Sequence, residues 1–361
     1  MLIGIDAGCL GIRDERLKVG VYNVAKNLLI HLGKIDTENT YYLYSFHPIE
    51  KGLMKQFSAN MHNIVVKPSK GWMKIWLPLR ISRDKIDTFL AFGQAIPKLP
   101  KSVKKIGYIY DIAFEKYPQF YPDSYKQLHN ITANLVKKSD HIITISQAAK
   151  KDIHDYYSIP ESRISAILLG NRLLETSDST KSEEKYFLSV GALKRIKNIA
   201  AVIKAFAAFS TKKSDYNLVI VGGDKWMDPD ITEAYEKLPE EIKKHVSFRG
   251  FVSDEELNDL YKNAQALIVP SYYEGFGLPV AEAMSVGCPV IVSNRGSLPE
   301  IVGDAGYITN PDDIVTIANY MIKLTQSRSE RILLGEKGQR RVKSFTWEKC
   351  ANETLSVINK V

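Results

Sequence analysis

Short continuous apolar runs alternate along this chain with longer stretches whose apolar residues recur at helical spacing. The runs read as strands covered on both faces, and the longer stretches as the helices that cover them. In the first half the pattern predicts strands at Leu2–Asp6, Tyr41–Phe46, Asn63–Val66, Thr88–Phe92, Lys105–Tyr110, His141–Ile145 and Ile164–Leu168. Helices are predicted at Val21–Gly33, where Val24, Leu28 and His31 share a face, and at Tyr125–Lys138. In the second half strands are predicted at Tyr186–Val190, Asn217–Val221, His245–Phe248, Ala266–Val269 and Pro289–Ser293, with helices at Ile199–Phe209 and Asp254–Asn263 between them. Residues 175–185 (ETSDSTKSEEK) carry no large apolar side chain and have a linker's composition. The expected domains are therefore 1–175 and 176–361, with the last helix packing back on the first. Strand–helix alternation in each predicts a parallel sheet, and ligands then bind beyond the carboxyl ends of the strands, in a cleft.

A length of 361 residues suits two domains, and 45% hydrophobic with 25% charged residues suits globular folding. The cysteines, Cys9, Cys288 and Cys350, are few, odd in number and far apart. They indicate neither a disulfide framework nor a zinc knuckle, and a reducing cytoplasm is the expected setting. The opening segment reads as a strand rather than a signal peptide, because Asp6 breaks its apolar run and no basic residue precedes it. No apolar stretch is long enough to span a membrane as a helix. The net charge of +8 is lopsided: residues 1–175 hold 25 Lys and Arg against 16 Asp and Glu, and residues 176–361 hold 24 against 25. The basic half suits an anionic partner, such as lipid, nucleic acid or an acidic acceptor.

Residues 270–303 (PSYYEGFGLPVAEAMSVGCPVIVSNRGSLPEIVG) carry the most chemistry. A buried strand leads into a loop with Glu274, Gly275 and Gly277. A helix beginning at Pro279 then ends before Gly287, and another strand follows. Glycines let backbone N–H groups approach a ligand, and the helix start suits a pyrophosphate. Glu282, predicted early in that helix, can accept from ribose hydroxyls, and Glu274 from those of a transferred sugar.

Glu274 and Glu282, eight positions apart within EGFGLPVAEA, resemble the signature of the family 4 retaining glycosyltransferases of the GT-B fold, and GCPVIVSNRGSLPEIVG is similar to the usual continuation. The resemblance implies an α/β chain of two Rossmann-like domains facing across a cleft, the donor on the second and the acceptor on the first. Residues 190–199 (VGALKRIKNI) resemble the family's phosphate-binding segment, which assigns Gly191 to the donor site and makes Lys197 and Arg195 candidates to neutralise a departing diphosphate. Residues 248–257 (FRGFVSDEEL) resemble the base-binding loop, with Phe251 and Val252 at the base and Asp254 read as a helix cap. The resemblance gives Gly275, Phe276, Gly277 and Leu278 to the donor as well. In the first half, GVYNVAKNLL carries over Gly20, with Tyr22 where a second glycine is usual. YIYDIAFEKYP carries Asp111 as a catalytic candidate, with Tyr110 where a histidine is usual. Ser146, in TISQAAKKDI, reads as a ligand contact or a helix cap.

The implied activity is transfer of a sugar from a nucleoside diphosphate sugar to a glycan or lipid-linked glycan, with retention of configuration. No cofactor and no metal are expected: Asp228-Pro-Asp230 has no preceding strand and reads as a turn. A glycosidase would need two carboxylates about 5–10 Å apart across the scissile bond, but would leave the glycine loop and Lys197 without a purpose. A hydride-transfer enzyme would need G-x-G-x-x-G spacing, which Gly222-Gly223-Asp224 lacks. A nucleic-acid-binding protein using the basic half, and a GT-B epimerase or phosphorylase, stay as alternatives. Residues 70–83 (KGWMKIWLPLRISR) mix Trp72, Met73, Ile75, Trp76 and Leu77 with basic side chains, and four lysines follow in residues 98–105. That mix predicts peripheral contact with anionic lipid at the inner face of a membrane, against the plainer reading of core residues with flanking charges.

Overall fold

The computed structural model describes residues 1–14, 18, 20–93, 95–171, 185–223 and 228–361. Its contacts divide the chain into two compact units, Met1–Gly170 with Thr346–Val361, and Asn171–Phe345. The division thus falls before the predicted 175/176 break, and the C-terminal segment counts with the first unit. Most of the predicted linker lies outside the described residues.

The first unit holds β1 (Leu2–Asp6), β2 (Thr40–Ser45), β3 (Met61–Val65), β4 (Thr88–Ala91), β5 (Lys104–Tyr108), β6 (His141–Thr144) and β7 (Ile164–Ala166) in the order β3-β2-β1-β4-β5-β6-β7. The second holds β8 (Tyr186–Val190), β9 (Asn217–Val221), β10 (Val246–Gly250), β11 (Leu267–Val269), β12 (Val290–Ser293) and β13 (Tyr307–Thr309) in the order β10-β9-β8-β11-β12-β13. Every pairing is parallel. Burial on both faces explains the continuous apolar runs: all four residues of β4 are buried, as are all three of β11. In the second unit Phe187, Ile220 and Ile268 from the strands meet Val202, Phe206 and Phe209 of helix Ile199–Ser210 and Met321 of helix Ile314–Gln326. In the first, Phe89 and Ile142 meet Leu135 of helix Tyr125–Lys138 and Ile153 of helix Gln147–Tyr157. The helix predicted from residue 21 runs over Val21–Ile35, and it buries Val24, Leu28 and Leu32 while His31 is only half-buried. Helix Trp347–Lys360 packs against it.

Residues 70–83 are split by their packing. Trp72 is buried, edge-on to Phe46 at 5.7 Å, and Leu77 and Ile81 are buried with it. Trp72 therefore leaves the predicted lipid-facing set. Ile75, Trp76 and Leu79 stay exposed, and Leu79, at 61%, is the most open of them. Arg80 is engaged by Asp84 at 2.8 Å. Helix Leu77–Asp84 does begin here, because Pro78 falls at a helix start where its missing N–H costs nothing.

At the end of β1, Asp6 is 6% exposed and accepts from the N–H of Gly8 at 3.1 Å. Burial pushes its carboxyl up to about 6, and the N–H groups of Gly8 and Gly93 draw it only part of the way back. A raised folded-state value means that Asp6 favours the fold while protonated. That contribution is complete below the unfolded value near 4 and is lost as the pH rises through about 6. Between pH 4 and pH 7 the wild type should therefore lose about 2–3 kcal/mol relative to Asp6→Asn. Urea titrations of both proteins at the two pH values measure this, and a stability difference that does not change with pH would show that Asp6 titrates normally.

Candidate active site

In the second sheet the strand order reverses between β8 and β11, and the loops leaving these neighbouring strands open at their carboxyl ends. Beyond β8, Gly191 donates its N–H to Val221 O at 2.9 Å, and residues 195–197 form a single 3-10 turn. Asn198 ends the turn with φ of 54° and is pinned there by its Nδ2, which donates to Pro311 O at 2.9 Å. From the β11 side, the N–H of Tyr272 donates to Ile196 O at 2.8 Å, tying the two loops together. Lys197 and Glu274 meet across this junction: the Lys197 Nζ lies 2.7 Å from both carboxylate oxygens. The Glu274 side chain is 11% exposed and that of Lys197 is 28% exposed.

Glu274 is held from several sides. Ser271, fully buried, donates its hydroxyl to Glu274 Oε1 at 2.8 Å, and Ser293 at the end of β12 donates to Ser271 O at 2.6 Å. The Glu274 carbonyl accepts from the Ser297 N–H at 3.1 Å and from its hydroxyl at 3.0 Å. Gly296 presses on the same backbone at φ of 54°, and a Cβ there would stand 2.5 Å from Glu274 O. Only glycine satisfies both the left-handed conformation and that approach. The carboxylate is thus aimed by partners on two loops while a third holds the Glu274 backbone, and charge-assisted contacts of this kind are stronger than neutral ones.

The glycine loop continues through Gly275 and Phe276, both buried, to Gly277, whose φ is 96°. The helix is Leu278–Ser285, so Leu278 is its first residue and Pro279 its second. Gly277 O accepts from Val280 and Ala281, whereas Leu278, at the helix start, has no carbonyl a turn behind it within the helix. Glu282 lies in the second turn rather than the first. Its Oε2 accepts from the phenol of buried Tyr261 at 3.1 Å, which adds a structural duty to the predicted ribose contact.

The remaining predicted residues have defined places. Arg195 is ion-paired with Asp230 at 2.9 Å, on the exposed side of the turn. Asp228 is no plain turn residue: it caps helix Pro229–Glu236 by accepting from the Asp230 N–H. Phe251 is 64% exposed, and its ring covers Gly223, where a Cβ would be 2.4 Å away. Val252 is half-buried. Ser253, not Asp254, caps helix Asp254–Asn263, accepting from the Glu256 N–H at 3.1 Å. Asp224 and Trp226 lie outside the described residues. In the first unit, Gly20 precedes helix Val21–Ile35 with φ of 34°, and Asp111 accepts from the Ala113 N–H at 2.9 Å. Ser146 is fully buried and caps helix Gln147–Tyr157, accepting from the Ala149 N–H at 3.1 Å, which is the cap of its two readings. The structure therefore brings together Gly191, Lys197, Glu274 and the glycine loop in the second unit. Sequence reasoning missed Ser271, Ser293, Gly296 and Ser297. The one local signal was a serine three residues before Glu274.

Comparison with known proteins follows the same segment. The model for glycosyl transferases group 1 matches residues 173–341. The chain is 29% identical over 264 residues to the O-antigen chain mannosyltransferase B of Escherichia coli, a match covering 68% of each protein. It is 36% identical over 201 residues to the O-antigen chain mannosyltransferase RfbU of Salmonella typhimurium, covering 54% of this chain and 55% of that one. Among solved structures, the sucrose-phosphate synthase of Thermosynechococcus elongatus superposes with a TM-score of 0.76 at 20% identity, over 99% of this chain and 98% of that one, a likeness of fold. With the signature residues gathered at one sheet edge, residues 173–341 form a segment of the glycosyl transferases group 1, and the two doubly wound parallel sheets have the GT-B architecture.

Proposed function

We propose that this enzyme transfers a mannosyl group, with retention and without a metal ion, from a nucleoside diphosphate sugar to a growing glycan. The observation that carries the reading is the Lys197–Glu274 pair at 2.7 Å, beside a glycine loop and a helix start. An ammonium at the end of β8 neutralises the diphosphate as its charge grows on leaving, and the N–H groups at the loop and helix start add to it. Glu274 accepts from hydroxyls of the donor sugar, and its pairing with Lys197 keeps both groups in place before the donor arrives. Arg195 assists at the phosphates once released from Asp230. Glu282 accepts from the ribose, and the backbone at Phe251 and Val252 meets the base. The names of the relatives, both O-antigen chain mannosyltransferases, support mannose and a glycan acceptor. Retention follows if the acceptor attacks from the side the diphosphate leaves, with a phosphate oxygen taking its proton. The protein then supplies placement and charge.

The exposed apolar residues of the first unit give this activity a place to act. Ile75, Trp76 and Leu79 stand beside Lys70, Lys74 and Arg83, in a half of the chain with nine more basic than acidic residues, 25 against 16. This face suits an anionic lipid surface carrying a lipid-linked acceptor.

Lys197→Ala should lower kcat about 100-fold or more while shifting Tm little, since the charge it meets develops in the transition state, and Glu274→Ala should lower transfer about as far by leaving the donor sugar unplaced. A panel of nucleotide sugars, scored by nucleotide release and product anomer, measures this, and near wild-type transfer in either variant would overturn the assignment. The same reaction should persist in excess EDTA; loss with chelator and recovery with Mg²⁺ or Mn²⁺ would show a metal-dependent site. Glu282→Gln keeps an oxygen for Tyr261, so Tm should hold while nucleotide Kd rises about tenfold, one charge-assisted contact's worth; calorimetry reads it. On vesicles containing anionic phospholipid, Trp76→Ala should co-sediment less than the wild type at low salt. Wild-type protein left in the supernatant would rule membrane contact out.

A further inference from the structure

Beyond β13 the chain makes a turn that grips both loops of the Lys197–Glu274 pair. Pro311 and Asp312 are consecutive residues of that turn. The Pro311 carbonyl accepts from Asn198 Nδ2 at 2.9 Å, and Asp312 Oδ1 accepts from the Tyr272 phenol at 2.6 Å. Asn198 directly follows Lys197 on the loop from β8, and Tyr272 stands two residues before Glu274 on the loop from β11. A third loop therefore holds a close chain neighbour of each member of the pair.

The side chain of Asn198 is diverted to this grip. An asparagine just ahead of a helix ordinarily accepts from an N–H of the first turn. Asn198 stands ahead of helix Ile199–Ser210 and makes no such bond. Its amide goes to Pro311 instead, and its backbone is held in the left-handed region. The Tyr272 contact is of the short, charge-assisted kind. Burial, and then Asp312, push the phenol above its ordinary range, so it keeps its proton and donates.

The turn is itself fixed on both sides. Before it, Thr309 O accepts from the Asn294 N–H at 2.8 Å, just past β12. Within it, Asn310 Oδ1 accepts from the Asp312 N–H at 3.0 Å. After it, Asp313 caps helix Ile314–Gln326, accepting from the Thr316 N–H at 2.9 Å and from its hydroxyl at 2.7 Å. That helix packs on helix Ile199–Ser210. The packed helices fix the turn, and the turn fixes the two loops.

We propose that Tyr272 and Asp312 are positioning residues for sugar transfer, which with Asn198 hold the Lys197 ammonium where charge grows on the leaving diphosphate. The proposal rests on the reading of Lys197 as the group that meets that charge. A misplacement of about 1 Å at a reacting group lowers a rate by up to about 100-fold. Asp312 is exposed, and substitutions at such surface positions leave stability nearly unchanged.

Tyr272→Phe removes only the phenol oxygen. Its kcat should fall about tenfold, with KM for the donor within about twofold and Tm unchanged. Asp312→Ala should lose as much, and the two changes together should lose no more than either alone. Asp312→Asn keeps an acceptor oxygen and should restore most of the rate. Asn198→Gly keeps the left-handed conformation without the amide and should lower kcat in the same way. The deciding measurement is made in the Lys197→Ala background, where Tyr272→Phe should change nothing, because the group it positions has gone. A phenol that touched the donor itself, or that only stabilised the fold, would cause the same loss in both backgrounds. That result, or a wild-type kcat in Tyr272→Phe, would overturn the proposal. Near wild-type transfer by Lys197→Ala would defeat the reading of the site and the proposal with it, whereas a slow Lys197→Ala beside a wild-type Tyr272→Phe defeats the proposal alone.

Discussion

Both sheets are parallel throughout, and the position of every functional group follows from that. A parallel neighbour can be reached only by a crossover, so all strands of a sheet end on the same edge and helices cover both faces. Where successive crossovers turn to opposite sides, two adjacent strands send their loops apart and leave an opening. This chain does so twice, between β1 and β4 and between β8 and β11. Lys197 and Glu274 leave the second pair of strands, and Asp6 and Gly93 the first. Two unrelated sets of polar residues occupy equivalent places in two folds of the same design.

The Lys197–Glu274 pair differs from an ordinary surface ion pair in how it is supported. Exposed pairs such as Lys185–Asp215 contribute little, because water competes and long side chains lose freedom. Glu274 has surrendered that freedom already. Ser271 fixes its carboxylate, Ser297 fixes its carbonyl, and Gly296 closes against its backbone. The expense of ordering is met during folding rather than when a ligand binds, which is what preorganisation requires.

What the sequence made legible follows the range of the forces involved. Strands β8 and β9 were bounded to the residue, because a strand buried on both faces is a local apolar run. β13 was not foreseen: Tyr307 and Ile308 are only half-buried, and its three residues carry little pattern. Trp72 was open to a lipid-facing reading and a core reading, and its packing on Phe46 decides for the core. Glu274 and Lys197 were found through a motif, but the serines that aim the carboxylate act through tertiary hydrogen bonds, which leave no periodicity in a chain. Asp6 read as the break in an apolar run. Its burial against Gly93 arises only when β4 is laid beside β1.

The chain leaves the first unit at Gly170 and returns at Thr346, and at the crossing the Asn171 N–H donates to Phe345 O at 2.8 Å. In the first unit, Gly170 sits tight against Trp347, where a Cβ would be 2.4 Å from the backbone nitrogen. The second unit is thus an insertion within the first, and the helix that packs on Val21–Ile35 is made only after the whole of the second unit. On the ribosome the order of assembly is inverted. The unit begun second has all its strands while the unit begun first still waits for this helix, so a chain stopped at Phe345 leaves the older half, not the newer, without its cover.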